Sequence, residues 1–172
     1  NRLKLPLVVV GDGPERARLQ ALAGPTVTLL GRQSPQQVEA LMARCRAYVY
    51  AGLEDFGIAP VEAMASGAPV IALGRGGLLD TVRCASAGMP KATGVLFPDQ
   101  TLESLQQAVQ WFEEQRLWRQ LDAELIRRWA ERFGPDAFAA RFEAALQRAW
   151  AAHRRSCDVA ASDPAKVPGL LS

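Results

Sequence analysis

The sequence alternates between short apolar runs and longer segments with apolar residues at helical spacing, and this alternation restricts the fold more than any other feature. The short runs are apolar at successive positions, which is typical of strands buried on both faces of a parallel sheet. They are Leu7 to Val10, Val27 to Leu30, Ala47 to Ala51, Val70 to Leu73 and Val95 to Phe97. Repeated strand–helix units predict the α/β class, with a Rossmann-like parallel sheet flanked by helices and right-handed crossovers.

Length and composition exclude several classes of function. The chain has 172 residues, 49% of them hydrophobic and 22% charged, which fits one ordinary globular domain. A net charge of +2 is too small to predict a nucleic-acid partner. No apolar run is long enough to span a membrane, and no signal peptide opens the chain. The sequence therefore predicts a cytoplasmic protein.

The cysteine and histidine content argues against a metal site. Cys45, Cys84 and Cys157 are odd in number and lack metal-ligand spacing, which favours reduced thiols in a cytoplasmic compartment. His153 is the only histidine and lies beside two arginines. Neither a His-rich metal site nor a local Ser-His-Asp triad is therefore expected.

The region after Pro98 changes character. Three segments between residues 101 and 150 carry apolar stripes at helical spacing, which predict helices that contribute to a core. From residue 156 the chain is rich in Ala, Ser, Asp and Pro and loses this periodicity, which favours a disordered tail. We therefore expect one domain at residues 1–155, with a helical C-terminal extension, and a tail at 156–172.

One stretch combines two carboxylates with a glycine turn. Glu54 follows the third predicted strand, Gly57 marks a sharp turn, and Glu62 lies about one turn inside a short helix that ends at Gly67. In open α/β sheets, ligands bind in the crevice at the carboxyl ends of strands. A helix N-terminus there offers unpaired N–H groups to an anion, and a carboxylate accepts hydrogen bonds from sugar hydroxyls. The alternative is a strand–loop–helix joint with two solvated acids.

This stretch, Glu-Asp-Phe-Gly-Ile-Ala-Pro-Val-Glu at residues 54–62, resembles the E-x7-E signature of retaining glycosyltransferases of family 4. In that family the signature belongs to the C-terminal, donor-binding domain of the GT-B fold. Further matches extend to Phe97, with Asp80 where the family usually has Glu. They are Gly-Asp-Gly-Pro at 11–14, Leu-Gly-Arg-Gln at 30–33, Ala-Pro-Val-Ile-Ala at 68–72, Gly-Arg-Gly-Gly at 74–77 and Thr-Gly-Val-Leu-Phe at 93–97.

The resemblance implies roles for the residues of the signature. Glu54 is expected to be the catalytic carboxylate that lies against the donor sugar, and Glu62 to accept hydrogen bonds from the ribose hydroxyls. The backbone N–H groups of Phe56, Gly57 and Ile58 are expected to face the sugar and the diphosphate. Preorganised N–H groups suit this place, because the departing nucleoside diphosphate gains negative charge.

Further donor-binding residues are implied beside the signature and at the turns after the first two strands. Asp55 stands where the family more often has Gly, a variant similar to the mannosyltransferase branch. Gly11 and Gly13 match the family's G-x-G-P turn, and Arg32 and Gln33 follow the second strand, where the family contacts the nucleobase. For both turns the alternative is a loop without ligand contact.

The implied reaction transfers a hexose from a nucleotide-diphosphate sugar to a glycan or lipid-linked acceptor, with retention of anomeric configuration. GDP-mannose is the first candidate donor, because residues 54–62 and 100–105 resemble the mannosyltransferase branch, and a UDP-sugar is the second. No resident cofactor or metal is implied, in agreement with the lack of an Asp-x-Asp motif. The alternatives are a GT-B sugar-nucleotide epimerase or phosphorylase, and a non-catalytic Rossmann-like nucleotide-binding module.

The resemblance also implies a longer protein. The chain begins at Asn1 without Met, and residues 1–4 resemble the last turn of a helix. We expect upstream the first βα unit of this domain, with an Arg and a Lys that clamp the diphosphate, and an N-terminal acceptor domain that allows peripheral contact with the inner membrane face. Because the absent strand is central in a doubly wound sheet, a gap is expected between residues 7–10 and 47–51.

Overall fold

The computed structural model describes residues 1–85 and 91–162, and within them it confirms the predicted α/β class. The strands are β1 (Leu7–Val10), β2 (Val27–Gly31), β3 (Tyr48–Tyr50), β4 (Val70–Leu73) and β5 (Gly94–Phe97). The helices are α1 (Arg16–Leu22), α2 (Pro35–Arg44), α3 (Ile58–Ala65), α4 (Leu78–Thr81), α5 (Leu102–Glu114), α6 (Leu117–Gln120), α7 (Ala123–Glu131) and α8 (Pro135–Ser162). Each predicted strand is present within one or two residues of its expected bounds.

The strands form two parallel sheets. In the first, β1 pairs with β2, and in the second the order is β3-β4-β5. Among the described residues no ladder joins β1 to β3, as expected if these strands are not neighbours in the sheet. The gap between them, and the strand that would fill it, stay predictions.

The core is built on both faces of β4, whose four residues are all buried. Because side chains alternate along a strand, Val70 and Ala72 pack with buried residues of α3 and α7. Ile71 and Leu73 lie on the opposite face, among buried residues of β5 and α5. The uninterrupted apolar sequence of β4 therefore reflects helices on both of its faces.

Two helix starts follow directly from the sequence. The Ser34 hydroxyl accepts a hydrogen bond from the Gln37 N–H at 3.3 Å, and the Gln37 side chain accepts one from the Ser34 N–H at 2.9 Å. This reciprocal pair is the predicted capping box of α2. Thr101 caps α5 in a similar way, because its hydroxyl accepts from the Ser104 N–H at 3.1 Å.

The compact unit that contains both sheets ends at Glu131, and the residues from Arg132 onward form a separate unit built on α8. Helix α8 continues to Ser162, past residue 156 where the irregular tail was expected to begin. Alanine favours helix strongly, and it recurs throughout α8. The remainder of the predicted tail, 163–172, lies outside the described residues, and the assignment of all C-terminal helices to one domain at 1–155 stays a prediction.

Among the described helices, no segment combines the length and the apolar character needed to cross a lipid bilayer.

We expect the 172-residue polypeptide to self-associate through the free edges of β1 and β3. Apolar strand edges pair readily with other chains, and Val8 in β1 is 47% exposed. Sedimentation velocity at increasing concentration should reveal association that Val8→Lys suppresses. The matched control is Leu22→Lys, at an apolar position of α1 that is 58% exposed, and it should leave association unchanged. A wild-type polypeptide that stays monomeric at every concentration would refute this expectation.

Candidate active site

Hydrogen bonds join the loops at the carboxyl ends of β3, β4 and β5 into one surface. The Gly77 N–H donates to the Glu54 carbonyl at 2.9 Å, which links the loop after β4 to the loop after β3. The Gln100 side-chain amide donates to the Ala51 carbonyl, also at 2.9 Å. The expected position of Glu54, in the loop at the carboxyl end of a strand, is therefore confirmed.

The Gly76–Gly77 pair permits the loop after β4 to lie directly on the loop that carries the signature. A Cβ atom on Gly77 would overlap the Asp55 carbonyl oxygen and lie 2.5 Å from the Phe56 Cα. A Cβ on Gly76 would overlap the Glu54 carbonyl oxygen. Both glycines are therefore required by contact with the protein's own backbone, whatever ligand binds nearby.

Gly57 forms the turn between the signature loop and α3. It is buried and has φ 84° and ψ 69°, in the left-handed region that favours glycine. Helix α3 starts at the next residue, so the backbone N–H groups of its first turn lie beside the loop of Glu54. The helix ends where Gly67 donates its N–H to the Met64 carbonyl at 2.8 Å, as expected.

Both signature carboxylates are exposed, and each interacts with a tyrosine of β3. The Tyr50 hydroxyl donates to Glu54 Oε1 at 2.5 Å, and this hydrogen bond is the main reason that the pKa of Tyr50 rises to about 12. Partial burial raises the pKa of Tyr48, and the negative charge of Glu62 raises it further. Glu54 therefore acts on the last residue of β3, and Glu62 acts on the first.

The other residues of the signature lie on the surface of the same turn. Asp55 and Phe56 are exposed in the loop, and Ile58 is 68% exposed at the start of α3. An apolar side chain so open to water on a turn between two carboxylates is available to contact a ligand. The direct contacts predicted for Asp55, Phe56, Gly57 and Ile58 stay predictions.

The remaining predicted residues lie at the carboxyl edge of the other sheet. The Gly11 N–H donates to the Gly31 carbonyl at 2.9 Å, so the turn of Gly11 and Gly13 lies beside the turn of Arg32 and Gln33. Arg32 is exposed. The Gln33 side-chain amide donates to the carbonyls of Leu30 and Arg32 at 2.9 and 3.1 Å, so Gln33 stabilises its own turn.

Tyr50 was missed by the sequence analysis. It forms the end of β3, four residues before Glu54, and its hydroxyl is bonded directly to the carboxylate. The available signal was a phenol one residue before the end of the predicted strand, Ala47 to Ala51, that leads into an acidic loop.

Metal ligands are not assembled near the signature. Within residues 1–85 and 91–162, no three side chains of the His, Cys, Asp and Glu types come together in a way that could hold a metal ion. The fold and the site thus define a Rossmann-like α/β domain with its candidate ligand surface at the carboxyl ends of the strands.

The sequence model of the family "Glycosyl transferases group 1" matches residues 1–132, and the chain belongs to that family. It is 40% identical over 93 residues to a GDP-mannose-dependent alpha-mannosyltransferase of Mycobacterium tuberculosis, a match that covers 54% of this chain and 23% of the relative. It is 37% identical over 93 residues to a 2-deoxystreptamine glucosyltransferase of Streptomyces kanamyceticus, covering 51% of this chain and 24% of that protein. The matches thus span about a quarter of the length of these relatives.

Solved structures of glycosyltransferases share the fold. Sucrose-phosphate synthase from Thermosynechococcus elongatus superposes with a TM-score of 0.67 at 29% identity, over 85% of this chain and 39% of that chain. HepE from Anabaena, in complex with UDP and glucose, superposes with a TM-score of 0.63 at 22% identity, over 83% of this chain and 40% of that chain. The expected relationship to GT-B glycosyltransferases is therefore confirmed.

Proposed function

We propose that this chain is the donor-binding part of a retaining glycosyltransferase that transfers a hexose from a nucleoside-diphosphate sugar. The observation that carries the proposal is the placement of Glu54 and Glu62 on either side of the buried, left-handed Gly57, at the N-terminus of α3. Membership of the glycosyl transferases group 1 family supports it.

The proposed chemistry assigns each side of the turn a task. Glu62 accepts hydrogen bonds from the ribose hydroxyls, and Glu54 lies against the donor sugar. As the bond between the anomeric carbon and the diphosphate breaks, negative charge grows on the leaving group. The N–H groups of Gly57 and Ile58 lie at the start of α3, where fixed donors and the helix dipole stabilise that charge. The acceptor oxygen then bonds to the anomeric carbon from the same face, and its proton passes to the departing diphosphate oxygen.

GDP-mannose is the proposed donor. Two relatives at 40% identity, from M. tuberculosis and Mycolicibacterium smegmatis, are named GDP-mannose-dependent alpha-mannosyltransferases. A UDP-sugar is the second candidate, because HepE was solved with UDP-glucose. The proposed acceptor is a glycan or a lipid-linked molecule. The proposed protein acts in the cytoplasm with peripheral contact at the membrane, and it needs no resident metal or cofactor.

The test is a transfer assay on the protein expressed from its complete coding sequence. Incubation with GDP-mannose or UDP-glucose and a panel of glycan and lipid-linked acceptors should consume GDP-mannose faster. Proton NMR of the product should show the anomeric configuration of the donor, and treatment with a chelator should leave the rate unchanged. An inverted product would contradict the proposed mechanism, and consumption of neither donor would contradict the proposed function.

Replacing Glu62 with Gln should weaken nucleotide binding without unfolding the domain. A hydrogen bond to a charged group contributes about 1.5–3 kcal/mol, which corresponds to at least about a tenfold loss of affinity. Calorimetric titration with GDP and UDP measures this loss. The matched control is Glu39→Gln, at an exposed carboxylate of α2, and it should bind as the wild type does. Equal affinity for nucleotide in Glu62→Gln and wild type would remove the ribose assignment.

A further inference from the structure

Tyr50 and Glu54 form a side-chain pair at the carboxyl end of β3. The Tyr50 hydroxyl donates to Glu54 Oε1 at 2.5 Å, a short distance typical of a hydroxyl that donates to a charged carboxylate. The two residues are four positions apart, so the phenol reaches across the start of the loop that follows the strand. This hydrogen bond is also the main reason that the pKa of Tyr50 is raised to about 12.

Gly52 leaves the space that the Tyr50 ring occupies. A Cβ atom on Gly52 would lie 2.8 Å from the Tyr50 hydroxyl oxygen and 3.0 Å from its Cζ. The φ angle of Gly52 is outside the left-handed region, so its backbone does not itself require glycine. A side chain at position 52 would therefore require the end of the Tyr50 ring to shift, so the glycine leaves room for the phenol to reach Glu54.

The backbone around Glu54 is fixed independently of this pair. Its carbonyl accepts from the Gly77 N–H at 2.9 Å, and the Ala51 carbonyl accepts from the Gln100 amide at 2.9 Å. The side chain of Glu54 can still rotate about its own bonds. A carboxylate that rotates freely loses conformational entropy when it contacts a ligand. The bond from Tyr50 fixes one carboxylate oxygen and leaves the other available to a ligand.

We propose that Tyr50 is a positioning residue that orients the Glu54 carboxylate toward the sugar of the donor, an assignment that rests on the proposed function. The phenol acts through Glu54 and not on the substrate. It raises the affinity and reactivity of the sugar part of the donor, because the acceptor oxygen of Glu54 is already directed before the donor binds. The nucleoside diphosphate part, assigned to Glu62 and the start of α3, should not depend on it.

The test compares GDP with GDP-mannose, and UDP with UDP-glucose, by calorimetry on the protein expressed from its complete coding sequence. Tyr50→Phe should weaken binding of the sugar nucleotide by about three- to tenfold, the range for one ordinary hydrogen bond, because the phenol acts only through Glu54. Affinity for the nucleoside diphosphate should be unchanged. Gly52→Ala retains the phenol but displaces its ring, and it should have the same selective effect. Thermal unfolding of both variants should stay close to that of the wild type.

A double-mutant cycle separates positioning from a merely structural role. In a Glu54→Gln background, Tyr50→Phe should cause no further loss of sugar-nucleotide affinity, because the two residues act as a unit. Additive losses, or equal losses for the sugar nucleotide and the nucleoside diphosphate, would overturn the assignment. Wild-type affinities in Tyr50→Phe would also overturn the assignment of Tyr50, but they would leave the proposed function intact. A wild-type protein that binds none of the four ligands would overturn the proposed function, and this assignment with it.

Discussion

Gly57→Val is expected to abolish sugar transfer while the domain stays folded. Valine is strongly disfavoured at φ 84°, and its Cβ would lie 3.2 Å from the Leu78 Cδ2 atom. The loop that carries Glu54 must therefore move relative to α3. A displacement of about 1 Å in a catalytic site costs about a hundredfold in rate, so turnover should fall at least that far. Circular dichroism should show that the helices remain.

Gly57→Asn is the matched control for the backbone angle. Asparagine adopts the left-handed conformation more readily than other side chains, so this variant should unfold at a higher temperature than Gly57→Val. Transfer at the wild-type rate in Gly57→Val would mean that the turn does not shape the site, and would favour a strand–loop–helix joint with two solvated acids.

Gly77→Ala is expected to lower both stability and transfer. Its φ of −63° suits alanine, so the penalty arises from contact alone. The new Cβ would overlap the Asp55 carbonyl oxygen and lie 2.5 Å from the Phe56 Cα, so two backbone segments must separate. Overpacking of this kind costs about 1–3 kcal/mol. Transfer should fall more than about tenfold, because the hydrogen bond to the Glu54 carbonyl is strained as well.

Gly74→Ala provides the comparison for Gly77→Ala. A Cβ on Gly74 would make ordinary contacts, at 3.4 Å from the Leu96 Cβ and from the Phe97 carbonyl oxygen. Thermal unfolding and turnover of this variant should match those of the wild type. Equal effects of the two substitutions would show that glycine loss in this turn, and not contact with the signature loop, is what matters.

Much of the fold is predictable from the sequence because each strand is defined by its own local apolar run. Val70 to Leu73 is apolar at every position, and the structure buries all four residues between two layers of helices. The capping box of Ser34 and Gln37 is likewise local, since both partners belong to one turn of chain. The position of Glu54, Gly57 and Glu62 around a turn is predictable too, because these residues are also close together in the chain.

The contacts that shape the site could not be predicted in the same way. The requirement for glycine at position 77 depends on the approach of Asp55 and Phe56, more than twenty residues earlier in the chain. The bond from Tyr50 to Glu54 depends on a side-chain direction that the strand pattern leaves open. The end of regular structure was predicted near residue 156, where the apolar periodicity is lost, but α8 continues to Ser162.

Hydrogen–deuterium exchange of the complete protein, with and without GDP-mannose, tests the central claim most directly. If the donor binds at the signature turn, peptides covering residues 51–62 and 74–77 should exchange more slowly once ligand is bound. Glu62→Gln should need a higher ligand concentration for the same protection. Saturated binding of GDP-mannose with unchanged exchange in both peptides would place the donor elsewhere and contradict the assignment of Glu54 and Glu62.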